Sequence, residues 1–122
     1  MTELFYYESA ASVIAAVASG VSTQTPHPAR AVLADYVTPM EMRVTTEMEL
    51  GAAGLTRKDA TPIVDRVLRK YEGRLERPDN GKSYTECFNV KTGLPTEEHR
   101  KFVDRVKRDL ARLGVPFREA VR

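Results

Sequence analysis

Apolar side chains recur at intervals of three and four residues in four stretches of the chain, with breaker residues between them. This pattern predicts a mainly α protein of about four helices with irregular connectors. The first helix is read over Thr2–Ser19, with Thr2 as N-cap and Gly20 as its stop. Leu4, Tyr7, Ala11, Ile14, Ala15 and Ala18 fall on one side of it, but Phe5, Val13 and Ala16 make the other side apolar too. A helix apolar nearly all round is a buried one, so this element calls for cover on more than one side.

The second helix, Thr38–Gly54, starts with Thr38 as cap and Pro39 at the first helical position. Met40, Val44, Met48, Ala52 and Leu55 form its stripe, whereas Glu41, Arg43, Glu47 and Glu49 gather on the other side, with Arg43 and Glu47 spaced for an i, i+4 ion pair. The third starts at Thr56, with Asp59 completing a capping box, and carries Ile63, Val64, Val67, Leu68, Tyr71 and Leu75. Pro62 leaves two readings open. Either it sits inside one helix and kinks it, or Thr61 restarts the helix with Pro62 in its first turn. The last helix is capped by Thr96, has Glu97 and Glu98 in its first turn, and buries Phe102, Val103, Val106, Leu110 and Leu113 before the Gly114-Val115-Pro116 stop. Residues 117–122 are expected to fray.

Between the third and last helices runs Gly81–Pro95, read as an ordered connector because Asn80-Gly81, Gly93 and Pro95 supply turn-compatible backbone. Tyr84, Phe88 and Val90 are expected to make it a clasp between the last two helices. The other long connector, Val21–Thr38, holds His27 between Pro26 and Pro28, which reads first as an exposed loop residue.

At 122 residues the chain is one domain or a piece of a larger protein. Hydrophobic residues at 42% and charged residues at 30% are those of a soluble globular fold, with a cytoplasmic setting expected and no membrane span. The net charge of +2 divides into −4 over residues 1–55 and +6 over residues 56–122. The basic half raises nucleic-acid binding as an alternative, through Arg66, Arg69, Lys70, Arg74 and Arg77 on one helix and Arg105, Lys107, Arg108 and Arg112 on another. Interleaved Asp and Glu weigh against it, and nucleic acid is not the expected partner. A single cysteine, Cys87, excludes an intrachain disulfide, and with only His27 and His99 as imidazoles no metal-ligand set can be assembled. Phosphate loops and nucleophile elbows are absent as well. Cys87 beside His99 is the one arrangement with nucleophilic potential, though a lone cysteine is more often packed and inert, and His99 reads as a partly packed surface residue.

The order of several runs carries a resemblance. Lys70-Tyr71-Glu72, the eight residues Gly81–Phe88, Val90-Lys91-Thr92 and Leu94-Pro95-Thr96-Glu97-Glu98 are similar to the C-terminal portion of the corrinoid-dependent monomethylamine methyltransferases. Thr2-Glu3 with Tyr7-Glu8, the Glu41/Arg43 pair and Leu113-Gly114-Val115-Pro116 fall in similar order. The resemblance implies a family of (β/α)₈ barrels that move a methyl group from monomethylamine to the cobalt of a separate corrinoid protein in methanogenesis, often with a pyrrolysine handling the amine. This chain has no such residue and is too short for a barrel of about 250 residues. What it implies here is a C-terminal fragment or small subunit with no catalytic residues of its own, no cofactor bound alone, and a corrinoid carried by a partner protein. Its partners would be the missing barrel portion or further copies of itself, and Glu41, Arg43, Tyr84 and Cys87 are the candidate partner contacts.

Overall fold

The N-terminal helix lies at the centre of the molecule. A computed structural model describes residues 2–23, 33–77 and 79–119. In it α1 (Glu3–Ala18) packs along α2 (Pro39–Ala52) and α3 (Arg57–Tyr71), with α5 (Glu97–Arg112) against its N-terminal part. Leu4, Phe5, Tyr6, Tyr7, Ala10, Ala11, Val13 and Ile14 are all buried. The cover that this apolar helix requires therefore comes from the chain's own helices, and its small residues let two neighbours approach at once.

Local sequence sets the helix ends. Thr2 Oγ1 accepts from the Phe5 N–H at 3.2 Å, and Gly20 takes the left-handed φ of 73° that stops α1. For α3, the Asp59 N–H donates to Thr56 Oγ1 at 3.1 Å while the Thr56 N–H donates back to Asp59 Oδ2 at 3.2 Å. That reciprocal box fixes the start at Thr56, and Pro62 is carried inside a single helix. Ala60, Ile63, Val67 and Tyr71 form its buried stripe. Leu75 lies beyond the helix, after the 3₁₀ turn Glu72–Arg74, and is exposed, so it does not extend the stripe as expected. Thr96 Oγ1 caps α5 by accepting from the His99 N–H at 3.2 Å.

The connector Gly81–Pro95 is more regular than its sequence suggests. A single helical turn, α4 (Tyr84–Cys87), leads into a two-stranded antiparallel hairpin of β1 (Phe88–Asn89) and β2 (Leu94–Pro95), pairing Phe88 with Pro95 and Asn89 with Leu94. The Ser83 N–H donates to Glu86 Oε2 at 2.7 Å and so anchors the turn. Tyr84 stacks on Phe88 at 4.8 Å, and Phe88 meets the His99 ring at 5.7 Å. The Tyr84 N–H donates to the Asp35 carbonyl. The clasp thus ties α5 to the approach of α2 rather than to α3. Val90 takes no part in it, being 66% exposed at the hairpin.

Residues 117–119 are not frayed. Val115 is buried, Phe117 packs on the core, and the Arg118 N–H donates to the Glu47 carbonyl at 3.0 Å. A side chain at Gly51 would run into the Pro116 carbonyl, so the absent Cβ is what lets this tail lie on α2. Residues 120–122 and His27 lie outside the described residues.

Candidate functional site

A polar cleft of about 380 Å³ lies between the N-terminal ends of α1 and α5 and the turn α4. Thr2 and Thr96, which cap α1 and α5, stand in its wall with Cys87, His99 and Phe102. Ion pairs link its sides. Arg74 reaches Glu3 at 3.4 Å and Asp79 at 3.3 Å, and Lys82 reaches Glu98 at 3.1 Å. The Arg74 to Glu3 pair is part-buried and joins segments seventy-one residues apart, while the other two are exposed and screened.

His99 is the residue that sequence reasoning underrated. It is buried, its ring packed between Phe88 and Phe102 at 5.7 and 6.0 Å, and its Nε2 has no hydrogen-bond partner. Burial pushes its pKa below the ordinary value, which keeps the ring neutral at neutral pH. Its position between two aromatics at i−11 and i+3 left only a weak signal, since the hairpin that brings Phe88 over it is invisible to helical periodicity. Cys87 shares the cleft wall, but burial pushes its thiol up. A thiol held protonated is a poor nucleophile, so the two residues do not make an activated cysteine–histidine pair.

The four candidate contact residues occupy different settings. Glu41 and Cys87 lie in the core, Tyr84 is half-buried under Phe88, and Arg43 has a side chain 60% exposed. Glu41, expected opposite the α2 stripe, instead stands on it, three and seven residues before Val44 and Met48. Glu41 is 0% exposed and Glu47 3%. Glu47 is answered by Arg43, whose Nε lies 3.2 Å from Oε1, as the i, i+4 spacing predicts, and also by the Lys107 ammonium of α5 on Oε2. Lys107 lies sixty residues away and stands over the Phe117 ring at 5.3 Å, a pairing that no local pattern announces. Beside them a second cleft of about 410 Å³ runs between α2, β2 and α5, past Met40, Leu94 and Arg100.

Several basic residues of the second half make intramolecular contacts. Arg66 Nε donates to the Leu113 carbonyl at 2.8 Å, closing the end of α5, and Arg105 lies over Phe102 at 5.4 Å. Arg112 pairs with Asp109 at 3.2 Å. Among the described residues no group of histidine, cysteine and carboxylate side chains is placed to hold a metal ion, and no helix is long and apolar enough to cross a membrane.

The family model for monomethylamine methyltransferase MtmB matches residues 1–115. The chain is 32% identical over 117 residues to monomethylamine methyltransferase MtmB1 of Methanosarcina barkeri and equally to MtmB2 of Methanosarcina acetivorans. It is 31% identical to MtmB of Methanosarcina mazei. In each case the match takes in 95% of this chain but 26% of the relative, in a C-terminal portion of it. No solved structure matches the chain. With nearly its whole length aligned, capped helices and clasp included, this chain belongs to the monomethylamine methyltransferase MtmB family.

Proposed function

We propose that this chain is the C-terminal unit of a monomethylamine:corrinoid protein methyltransferase, working in the cytoplasm as part of an assembly and not transferring methyl groups alone. The observation that carries this reading is the lopsided match, 95% of the chain against 26% of its relatives. A covering role fits the chemistry of its clefts. Their ion pairs are internal, the thiol is held protonated by burial, and His99 is neutral and packed between rings. Clefts of 380 and 410 Å³ suit groups up to drug size and do not fit a buried corrin macrocycle. The reading therefore leaves the corrinoid on a separate protein and routes no step of the reaction through this chain.

The partner in this reading is the barrel portion, with self-association as the alternative way of forming an assembly. Exposed Leu94 and Val90 on the hairpin, with the rim residue Arg43 nearby on α2, offer an apolar and charged edge to it. Two measurements test the proposal. The purified chain, given monomethylamine and cob(I)alamin or a corrinoid protein, is expected to show no methyl transfer, and turnover by the chain alone would overturn the reading. Mixed with a separately expressed barrel portion of a family member, it is expected to form a stable complex on size exclusion. A chain that stays monomeric at micromolar concentration under those conditions argues against the subunit role.

A further inference from the structure

Glu41 is a carboxyl group buried in the core, fully out of solvent. Its Oε2 accepts the Thr38 N–H at 2.9 Å, while Oε1 has no hydrogen-bond partner. None of the ion pairs among the described residues includes it. The titratable groups that act on it or feel its charge are Tyr6 from α1 and Cys87 from α4, and the positive charge of the chain's amino terminus lowers it. Tyr6 is itself fully buried, and both it and Cys87 are held protonated by burial in addition to the nearby carboxyl. Lys107, the half-buried cation that α5 offers to α2, is engaged by Glu47. From α2 itself only the Thr38 N–H serves the carboxyl, since the Thr45 hydroxyl bonds the Glu41 main-chain carbonyl at 2.8 Å.

An anion here would keep one charge-assisted bond and lose its hydration, so burial favours the protonated acid. We propose that Glu41 is a proton-gated latch: protonated, it lets α1, the first turn of α2 and α4 close on one another, and its ionisation opens that seam. The opened segment would be the one held by the Tyr84 N–H to Asp35 carbonyl bond, since the Thr38 N–H favours the ionised carboxyl. Burial raises the carboxyl above the ordinary glutamate value of 4.5, opposed mainly by the Thr38 N–H. The sign follows from linkage. A carboxyl with a raised folded value contributes its full stability below 4.5 and loses it as pH rises through the folded value. His99 works with the opposite sign, because its lowered value removes stability as pH falls. The difference between wild type and Glu41→Gln cancels it.

Two readouts decide the matter on the full chain. Carbon-detected NMR of the Glu41 carboxyl in the wild type is expected to titrate above 4.5, and a midpoint at or below that value overturns the proposal. Hydrogen exchange at the Tyr84 amide, corrected for intrinsic base catalysis, is expected to lose protection by up to about tenfold per pH unit between 4.5 and the folded midpoint, relative to Glu41→Gln. An equal slope in both proteins overturns it. Should Glu41→Gln not fold, the carboxyl titration of the wild type decides alone.

Discussion

Glu41 and Glu47 stand on one helix, both buried, six residues apart, and they are kept in opposite ways. Around Glu47 the chain gathers two cations, Arg43 and Lys107, and lays the tail residues Phe117 and Arg118 beside them. Around Glu41 it gathers a phenol, a thiol and one backbone N–H, with the aromatic clasp of Tyr84 and Phe88 beginning in the same turn as Cys87. The first arrangement keeps a charge by pairing it. The second buries a carboxyl and so pushes it toward its protonated form. Residue type therefore decides less than the partner that the fold brings, because the energy of a buried charge depends on whether a counter-charge arrives with it.

The sharpest break of the Glu41 side is Phe88→Ala. Phe88 is buried between Tyr84 and His99, so truncation removes a ring from the core and opens the region beside Cys87 to water. A loss of about 3–5 kcal/mol in urea-unfolding stability is expected. The Glu41 carboxyl should then titrate closer to the ordinary value, since desolvation is the main cause of its rise. The matching break on the other side is Lys107→Met, which keeps the apolar stem and deletes the ammonium. Glu47 is then left with Arg43 alone, and a loss of about 3 kcal/mol is expected, at the low end for a broken buried pair because Lys107 is 28% exposed. If Lys107→Met is nearly neutral, the contrast between the two glutamates collapses.

The sequence announces the two sides unequally. Helix starts are local chemistry, and Thr2, Thr38 with Pro39, the Thr56/Asp59 box and Thr96 are all found where their side chains predict. The Arg43 to Glu47 pair is legible for the same reason, because i, i+4 spacing is a property of one helix. Burial of Glu41 is legible in spacing, because it lies three and seven residues before Val44 and Met48 and so shares their stripe, but its residue type reads as solvated until α1 is seen to pack there. Lys107 and the Phe88 to His99 contact depend on which helix faces which, and periodicity carries no information on that. Pro62 remained ambiguous because only a hydrogen bond three residues ahead of it, from Asp59 to Thr56, distinguishes one helix from two. The hairpin of β1 and β2 escapes for a different reason. Two residues per strand are too few for an alternating pattern to show.

Gly51→Ala sharpens the Glu47 side without touching a charge. The added methyl meets the Pro116 carbonyl, and the tail must lift from α2 to admit it. A loss of about 1–3 kcal/mol is expected from this overpacking, with faster exchange at the Arg118 amide that donates to Glu47. The Glu41 carboxyl should titrate unchanged, since the tail acts on the other seam. A shift there would mean that the two sides are one cooperative unit.

The smallest effect separates the two cations of Glu47. Arg43 approaches from its own helix with 60% of its side chain in water, whereas Lys107 arrives from α5 at 28% exposure and is held over Phe117. Water and salt screen the first pair heavily, so Arg43→Ala should remove about 0.3–0.5 kcal/mol, the usual worth of an exposed i, i+4 pair. That loss should shrink further in high salt, while the loss from Lys107→Met should persist. If Arg43→Ala instead weakens binding to the barrel portion more than it weakens folding, its exposed guanidinium faces the partner as well as Glu47. Folding and binding measured on the same variant tell the two roles apart, because a purely intramolecular pair moves stability and leaves affinity unchanged.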